Sequence, residues 1–161
     1  MIELTVYPMM AVMGQTFDDD TMVISIMSPR VEHPLIHCKN VYQFHFHDIT
    51  EEYFLERSNE IIRPMNYETA QEIAHVACQH RDKKRWIIHC EAGISRSPGV
   101  AIGLSRYIDF NMTTRKIEKA FPHHNKHVRK LVEAAMREET DRLNEEYLKT
   151  KNTSLIDPHG F

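Results

Sequence analysis

Residues 89–97 read His-Cys-Glu-Ala-Gly-Ile-Ser-Arg-Ser. A cysteine, Cys90, and an arginine, Arg96, bracket five residues that include Gly93, and Ser97 follows directly. The preceding Trp86, Ile87, Ile88 and His89 form an apolar run with the mark of a buried strand. From Pro98 to Ile108 the apolar residues recur at helical spacing. A cysteine on the loop between them meets the unpaired N–H groups and partial positive charge of a helix N-terminus, an environment that favours the reactive thiolate. The backbone amides of Glu91, Ala92, Gly93, Ile94, Ser95 and Arg96 can curl into an anion cradle, Gly93 supplying the dihedral freedom or close approach that a Cβ forbids. Such a cradle suits a phosphate dianion. Arg96 adds a planar fork that binds two phosphoryl oxygens at once. The Ser97 hydroxyl is placed to stabilise the thiolate as a leaving group, and His89 to hold the loop by hydrogen bonds.

Together His89, Cys90, Gly93, Arg96 and Ser97 resemble the signature loop of the cysteine-dependent protein tyrosine phosphatases, closest to the compact dual-specificity branch. With the flanking strand and helix and the Pro122–Asn125 segment, the resemblance extends over residues 1–135. It implies a phosphatase fold, a phosphocysteine intermediate, no cofactor, and an aspartate on a loop after an upstream strand that protonates the leaving oxygen and later activates water. Val41 to His47 alternates and is rich in aromatics, as a strand does, and Asp48 stands at its end. Asp48 is the chosen acid, with Glu51 and Glu52 as competitors and an Asx turn or helix cap as its plain structural role. Two other functions stay open: a phosphoprotein-binding module of little turnover, and an arsenate-reductase-like redox enzyme using Cys38 or Cys78 to resolve a disulfide with Cys90.

Glu91 follows the nucleophile, and no lysine or arginine lies between Cys90 and Arg96. Relatives directed at phosphoinositides tend to carry basic residues there, and an acidic loop repels highly anionic head groups. The expected substrate is therefore a phosphorylated protein or peptide, phosphotyrosine first, phosphoserine or phosphothreonine second. Arg57, Arg63 and His123 are candidate neighbours of the phosphate site. Among eleven histidines, the pair His45 and His47 and the cluster His123, His124 and His127 lack partners at a zinc spacing, so no metal is expected.

These residues need a frame. At 161 residues, with 42% hydrophobic and 27% charged, the chain fits one globular domain, expected over 1–149 with a loose tail over 150–161. A net charge of −3 gives no broad attraction to nucleic acid or anionic membranes. No stretch reaches the length of a membrane span, no secretion signal opens the chain, and three cysteines without paired spacing suggest no disulfide framework. A reducing, cytoplasmic setting is expected.

Strands over Ile2–Tyr7, Met22–Met27, Val41–His47 and Trp86–His89 alternate with helices, which predicts an α/β fold with a mostly parallel sheet of four to five strands, helices on both faces, and the site at the strands' carboxyl ends. The helices are expected over Met9–Gln15, from an Asn66 cap to His80 with Ala70, Ile73, Ala74 and Ala77 on one face, over Pro98–Ile108 and Thr113–Phe121, and from an Asn125 cap onward. Pro29–Asn40 reads as loop, and Glu51–Pro64 as an acidic loop able to cover the site. The charged turns 138–146 read as a solvated helix end, with self-association through this C-terminal helix as the alternative.

Overall fold

The computed structural model describes the backbone of residues 1–49, 56–57 and 60–154 and the side chains of 1–49 and 62–153. Elements follow in the order β1 (Glu3–Pro8), α1 (Met9–Val12), β2 (Thr21–Met27), β3 (Asn40–His45), β4 (Glu56–Arg57), β5 (Glu60–Ile61), α2 (Tyr67–Gln79), β6 (Arg85–Cys90), α3 (Arg96–Ser105), α4 (Thr114–Ala120) and α5 (Lys126–Ser154). Four strands form one all-parallel sheet in the order β1-β6-β2-β3, while β4 and β5 pair antiparallel by themselves. The strand that carries Cys90 is central, and every residue of β2 is buried. Such continuous apolar strands are what a parallel sheet covered on both faces requires.

Alternation along the strands sorts side chains into two clusters. Leu4, Met22, Ile24, Ile26, Trp86, Ile88 and Cys90 join the main core with residues of α2, α3, α4 and α5. Val23 and Ile87 point the other way, to Val12 of α1 and to Phe17, Ile36 and Cys38. The helices thus flank the sheet unequally. Four lie on the main-core face, and the other face is covered by the one-turn α1 and by loops. Helices therefore lie on both faces, unevenly, and a sequence period cannot say on which side a helix lands.

Local signals place most elements. The Asn66 side chain accepts from the Thr69 amide at 2.8 Å, a cap contributing about 1 kcal/mol, and Ala70, Ile73, Ala74 and Ala77 form the buried face of α2. Thr113 caps α4. Helix α3 lies close against α5 because Gly99 and Gly103 present no side chain there: a Cβ at Gly99 would stand 2.7 Å from the Asn125 carbonyl, and one at Gly103 2.7 Å from Val132 Cβ. This approach seats Asn125 against the loop that precedes α3.

Two expected boundaries are corrected. Helix α5 continues to Ser154, so residues 150–154 belong to it and not to a loose tail; 155–161 lie outside the described residues. Its exposed turns are laced by Arg142, which pairs with Glu139 at 2.7 Å and Glu146 at 2.5 Å, and such spacings extend a helix by a few tenths of a kcal/mol per pair. Leu143, on these turns, is exposed. Strand β3 ends at His45 and not at His47. The Phe46 amide still donates to the Met27 carbonyl at 3.1 Å, but His47 donates to the Arg63 carbonyl at 2.7 Å. The chain therefore peels off the sheet after Phe46, which carries Asp48 towards the β6–α3 loop. Of the acidic loop expected over 51–64, residues 51–55 and 58–59 lie outside the described residues.

Among the described residues no helix is long and apolar enough to cross a membrane.

Candidate active site

Cys90 ends β6 at the carboxyl edge of the sheet, 2% exposed. Its Sγ lies 3.1 Å from Ser97 Oγ and accepts from the Gly93 amide at 3.2 Å. Both contacts can donate to a thiolate, and charge-assisted hydrogen bonds are about twice as strong as neutral ones. Gly93 is required twice over. Its φ is +72°, and a Cβ there would stand 2.5 Å from the Pro8 nitrogen, where the loop turns against the end of β1. The Met9 amide fastens the same turn by donating to the Glu91 carbonyl at 3.1 Å. Ala92 and Ile94 are exposed on the outer rim, and α3 begins at Arg96 with its first amides facing the loop.

Arg96 is 5% exposed. Its Nη1 donates to the Phe46 carbonyl at 2.9 Å and to Ser28 Oγ at 3.1 Å, and its Nη2 lies 3.3 Å from Glu91 Oε1. Its Nε is buried without a partner. A buried guanidinium must be hydrogen-bonded throughout or lose the desolvation energy of each orphaned donor, about 1–3 kcal/mol. The unsatisfied edge is what an anion in the loop would complete. Glu91 is turned away from the cradle to accept from the Ser28 amide at 2.9 Å. Burial works against its charge, but the Ser28 hydroxyl and amide and then the Arg96 guanidinium outweigh it, holding the carboxyl below its ordinary value. Glu91, placed by the sequence among phosphate-binding positions, contributes its carboxylate as a brace for Arg96.

Asp48 meets the loop from the opposite side. Its Oδ1 accepts from Ser95 Oγ at 2.7 Å and from Asn125 Nδ2 at 2.8 Å. Asn125 is 1% exposed and uses every polar group: Nδ2 also donates to the Ile49 carbonyl at 3.0 Å, Oδ1 caps α5 by accepting from the Val128 amide at 3.0 Å, and the backbone amide donates to the Ser95 carbonyl at 2.9 Å. One side chain thus ties the Asp48 loop, the Cys90 loop and the start of α5 together. Sequence reasoning found Asn125 only as a cap. Ser28 and the Phe46 carbonyl were missed, and no local signal marks either. The competing acids Glu51 and Glu52, and the side chain of Arg57, lie outside the described residues.

Behind the loop, on the α1 face, His89 Nε2 is 2.6 Å from Ser25 Oγ, which is 2.6 Å from His33 Nδ1. His89 Nδ1 is 3.4 Å from the Cys90 carbonyl. Burial lowers the pKa of His89, only partly offset by that carbonyl, so the ring is neutral. A carbonyl can only accept, so the proton sits on Nδ1 and Nε2 accepts from the Ser25 hydroxyl. Ser25 in turn accepts from His33 Nδ1–H, which leaves His33 Nε2 as a bare acceptor, buried and unpartnered. Burial, then the neighbouring His45 and His89, push the His33 pKa down to about 4.

The other thiols stand apart from Cys90. Cys38 Sγ donates to the Thr21 carbonyl at 3.5 Å, and Thr21 is in register with Arg85 at the start of β6. Five strand residues at roughly 3.3 Å each put Cys90 about 16 Å further along, and a disulfide needs Cα atoms within about 7 Å. Cys78 closes α2 two residues before His80, whose carbonyl accepts the Trp86 indole at that same far end. Among the described residues no group of three or more His, Cys, Asp or Glu side chains could hold a metal ion.

The chain matches no family model, no curated protein and no solved structure.

Proposed function

We propose that the protein is a phosphomonoester hydrolase of the cysteine-dependent tyrosine phosphatase type, with the compact dual-specificity fold, acting on phosphotyrosine and secondarily phosphoserine or phosphothreonine of proteins. The observation that carries this reading is the buried Arg96 with an unpartnered Nε beside a buried Cys90 whose sulfur has two donors. A structural arginine would have all its donors paired. A buried guanidinium with one donor unpaired, in a loop that begins at a buried thiol and ends at a helix N-terminus, is suited to an oxyanion.

In this reading the Cys90 thiolate attacks phosphorus, the P–O ester bond breaks, and Asp48 gives its proton to the departing oxygen. Arg96 and the loop amides hold the equatorial oxygens, whose charge the transition state spreads. Asp48, now ionised, takes a proton from the water that cleaves the S–P bond, and Ser97 donates to the thiolate as it leaves. Ser95 and Asn125 hold one Asp48 oxygen, leaving the other for the proton. The bracing of Glu91 by Ser28 supports a loop built for a single phosphate on a protein side chain and not for polyanionic head groups. The separation of Cys38 and Cys78 from Cys90 argues against a resolving disulfide, and so against the arsenate-reductase type.

Turnover of para-nitrophenyl phosphate and of a phosphotyrosine peptide tests the reading. Cys90→Ser should abolish both, and Asp48→Asn should lower both by roughly 10²–10⁴-fold. Full turnover by Cys90→Ser contradicts the mechanism, and phosphopeptide binding without phosphate release makes the protein a binding module instead.

A further inference from the structure

Residues 4–17 are the longest run of the sequence without an Asp, Glu, Lys, Arg or His, in a chain that is 27% charged. The next longest such runs, 21–29 and 97–105, lie mostly in β2 and α3, which are buried. A core lacks charge because desolvating it is costly. Over α1 and the turn after it that reason does not hold, since Pro8, Met10, Ala11 and Met13 are exposed, Met10 at 69%.

This uncharged surface borders the candidate active site. Pro8 is paired with Cys90 in the register of β1 and β6, so α1 starts at the edge of the sheet where the loop turns. The Met9 amide donates to the Glu91 carbonyl, and Gly93 is seated against Pro8. On the loop the surface continues through the exposed Ala92 and Ile94. Beyond Met13 it continues to Leu35, 67% exposed, whose carbonyl accepts from the Gly14 amide at 2.8 Å. Of the charged or titratable groups that adjoin it in sequence, Glu91 is turned inward to Ser28 and Arg96. Glu32 and His37 flank Leu35, and Asp18 follows the run, so its middle offers no charge to an ionic partner. Single apolar residues on a surface need no explanation, but four large ones strung along adjoining backbone beside a site do. Methionine, unbranched and flexible, can repack around ligands of different shape.

We propose that Met10, Met13, Leu35 and Ile94 form a specificity subsite for aliphatic residues of the protein substrate, two to four positions from the phosphorylated one. The substrate class rests on the phosphatase reading. Paired strands lie about 4.8 Å apart and a helix rises about 1.5 Å per residue, which puts Met10 and Met13 on the order of 10 Å from Cys90. An extended chain at roughly 3.3 Å per residue spans that in about three residues. Two other occupants fit less well. An anionic lipid surface is held by Lys and Arg beside the apolar residues, and this run has neither. A stable interface between copies buries about 800 Å² on each partner from some 20–30 residues, more than four side chains around a one-turn helix supply.

The test compares a tyrosine peptide carrying leucines two to four positions away on both sides with its serine twin. In an NMR titration of protein labelled at the methionine methyls, the unphosphorylated leucine peptide should shift Met10 and Met13. The buried Met22 and Met27 should stay in place, and the serine twin should move none of them. With phosphotyrosine versions, KM should be roughly tenfold lower for the leucine peptide. The variant Met10→Ser combined with Met13→Ser should lose that ratio. It should still turn over para-nitrophenyl phosphate at the wild-type rate, because both side chains are exposed and outside the phosphate cradle. Met10 and Met13 methyls that ignore the leucine peptide, or a ratio that survives in the double variant, overturn the proposal. So do methyl shifts produced by phosphatidylcholine vesicles and not by the peptide, or by raising the protein concentration alone. The titration needs no turnover, so absence of phosphatase activity would remove the reading of the Cys90 site while leaving the apolar subsite to be decided by itself.

Discussion

Cys90 and His89 are consecutive in β6, yet strand alternation sends them into opposite layers. Cys90 joins the main core, which also holds apolar side chains of four helices, and among the described residues its sulfur has hydrogen-bond contacts to Ser97 and Gly93. His89 faces the α1 side, where the apolar cluster is small and a directed chain runs from His33 through Ser25 to the Cys90 carbonyl. The same loop is thus gripped in two ways: by packing in front, with an Arg96 donor left over for a ligand, and behind by a hydrogen-bonded chain that ends in the unpartnered His33 Nε2. In the proposed function the front side does the chemistry and the rear holds shape, and substitutions on the two sides should fail differently.

Asn125, on the front side, sharpens the contrast most after Cys90 and Asp48 themselves. Asn125→Ala removes both the cap and the brace on Asp48, and should lower kcat about tenfold or more while costing about 1–2 kcal/mol of stability. Asn125→Ser keeps a capping oxygen but is too short to reach Asp48, so kcat should fall in steady-state assays with most of the stability retained in urea melts. A kcat that follows stability in both variants would make Asn125 merely a cap.

On the other side, Ser25→Ala leaves two buried ring nitrogens without a partner. Urea denaturation should show a loss of about 1–3 kcal/mol, with kcat changed less than about threefold at a temperature where the variant is folded. A larger loss of kcat would mean that the rear chain takes part in the chemistry.

On the same rear side, a further effect is one of pH. The His33 pKa falls from an ordinary 6.5 to about 4 in the folded protein. Between these values the unfolded chain binds more protons than the native one, so the stability from neutral His33 is complete above 6.5 and declines as pH drops towards 4. The melting temperature should fall through that window, and His33→Phe should flatten the fall. An unchanged slope would assign the acid sensitivity to other groups.

What could be read from the sequence was local. The Asn66 cap, the four-residue buried face of α2, the apolar run of β6 and the Cys90–Ser97 loop each lie within one or two turns of chain, where period and capping chemistry speak directly. Asp48 is legible only through the resemblance, which implies an aspartate after an upstream strand, and the chain's departure from the sheet at Phe46 brings it to the loop through Ser95 and Asn125. What stayed hidden comes from distant parts of the sequence. Ser28 and the Phe46 carbonyl reach Arg96 only because β2 and β3 lie beside β6. Ser25 looks like one more residue of a buried strand until His33 and His89 are seen on either side of it. Glu91 reads as a charge in the cradle until Ser28 shows where its carboxylate turns. The length of α5 was underestimated because its exposed turns have no apolar face, and its own ion pairs carry the helix onward.

The central claim is that the Cys90 sulfur takes the phosphoryl group. Acid-quenched mass spectrometry of the protein during turnover of para-nitrophenyl phosphate tests it most directly, with Asp48→Asn used to slow breakdown of the intermediate. The account predicts one phosphoryl group, located on the peptide that contains Cys90 and absent from Cys90→Ser. Phosphate release in which no phosphoryl group ever appears on that peptide, with turnover undiminished in Cys90→Ser, would contradict it.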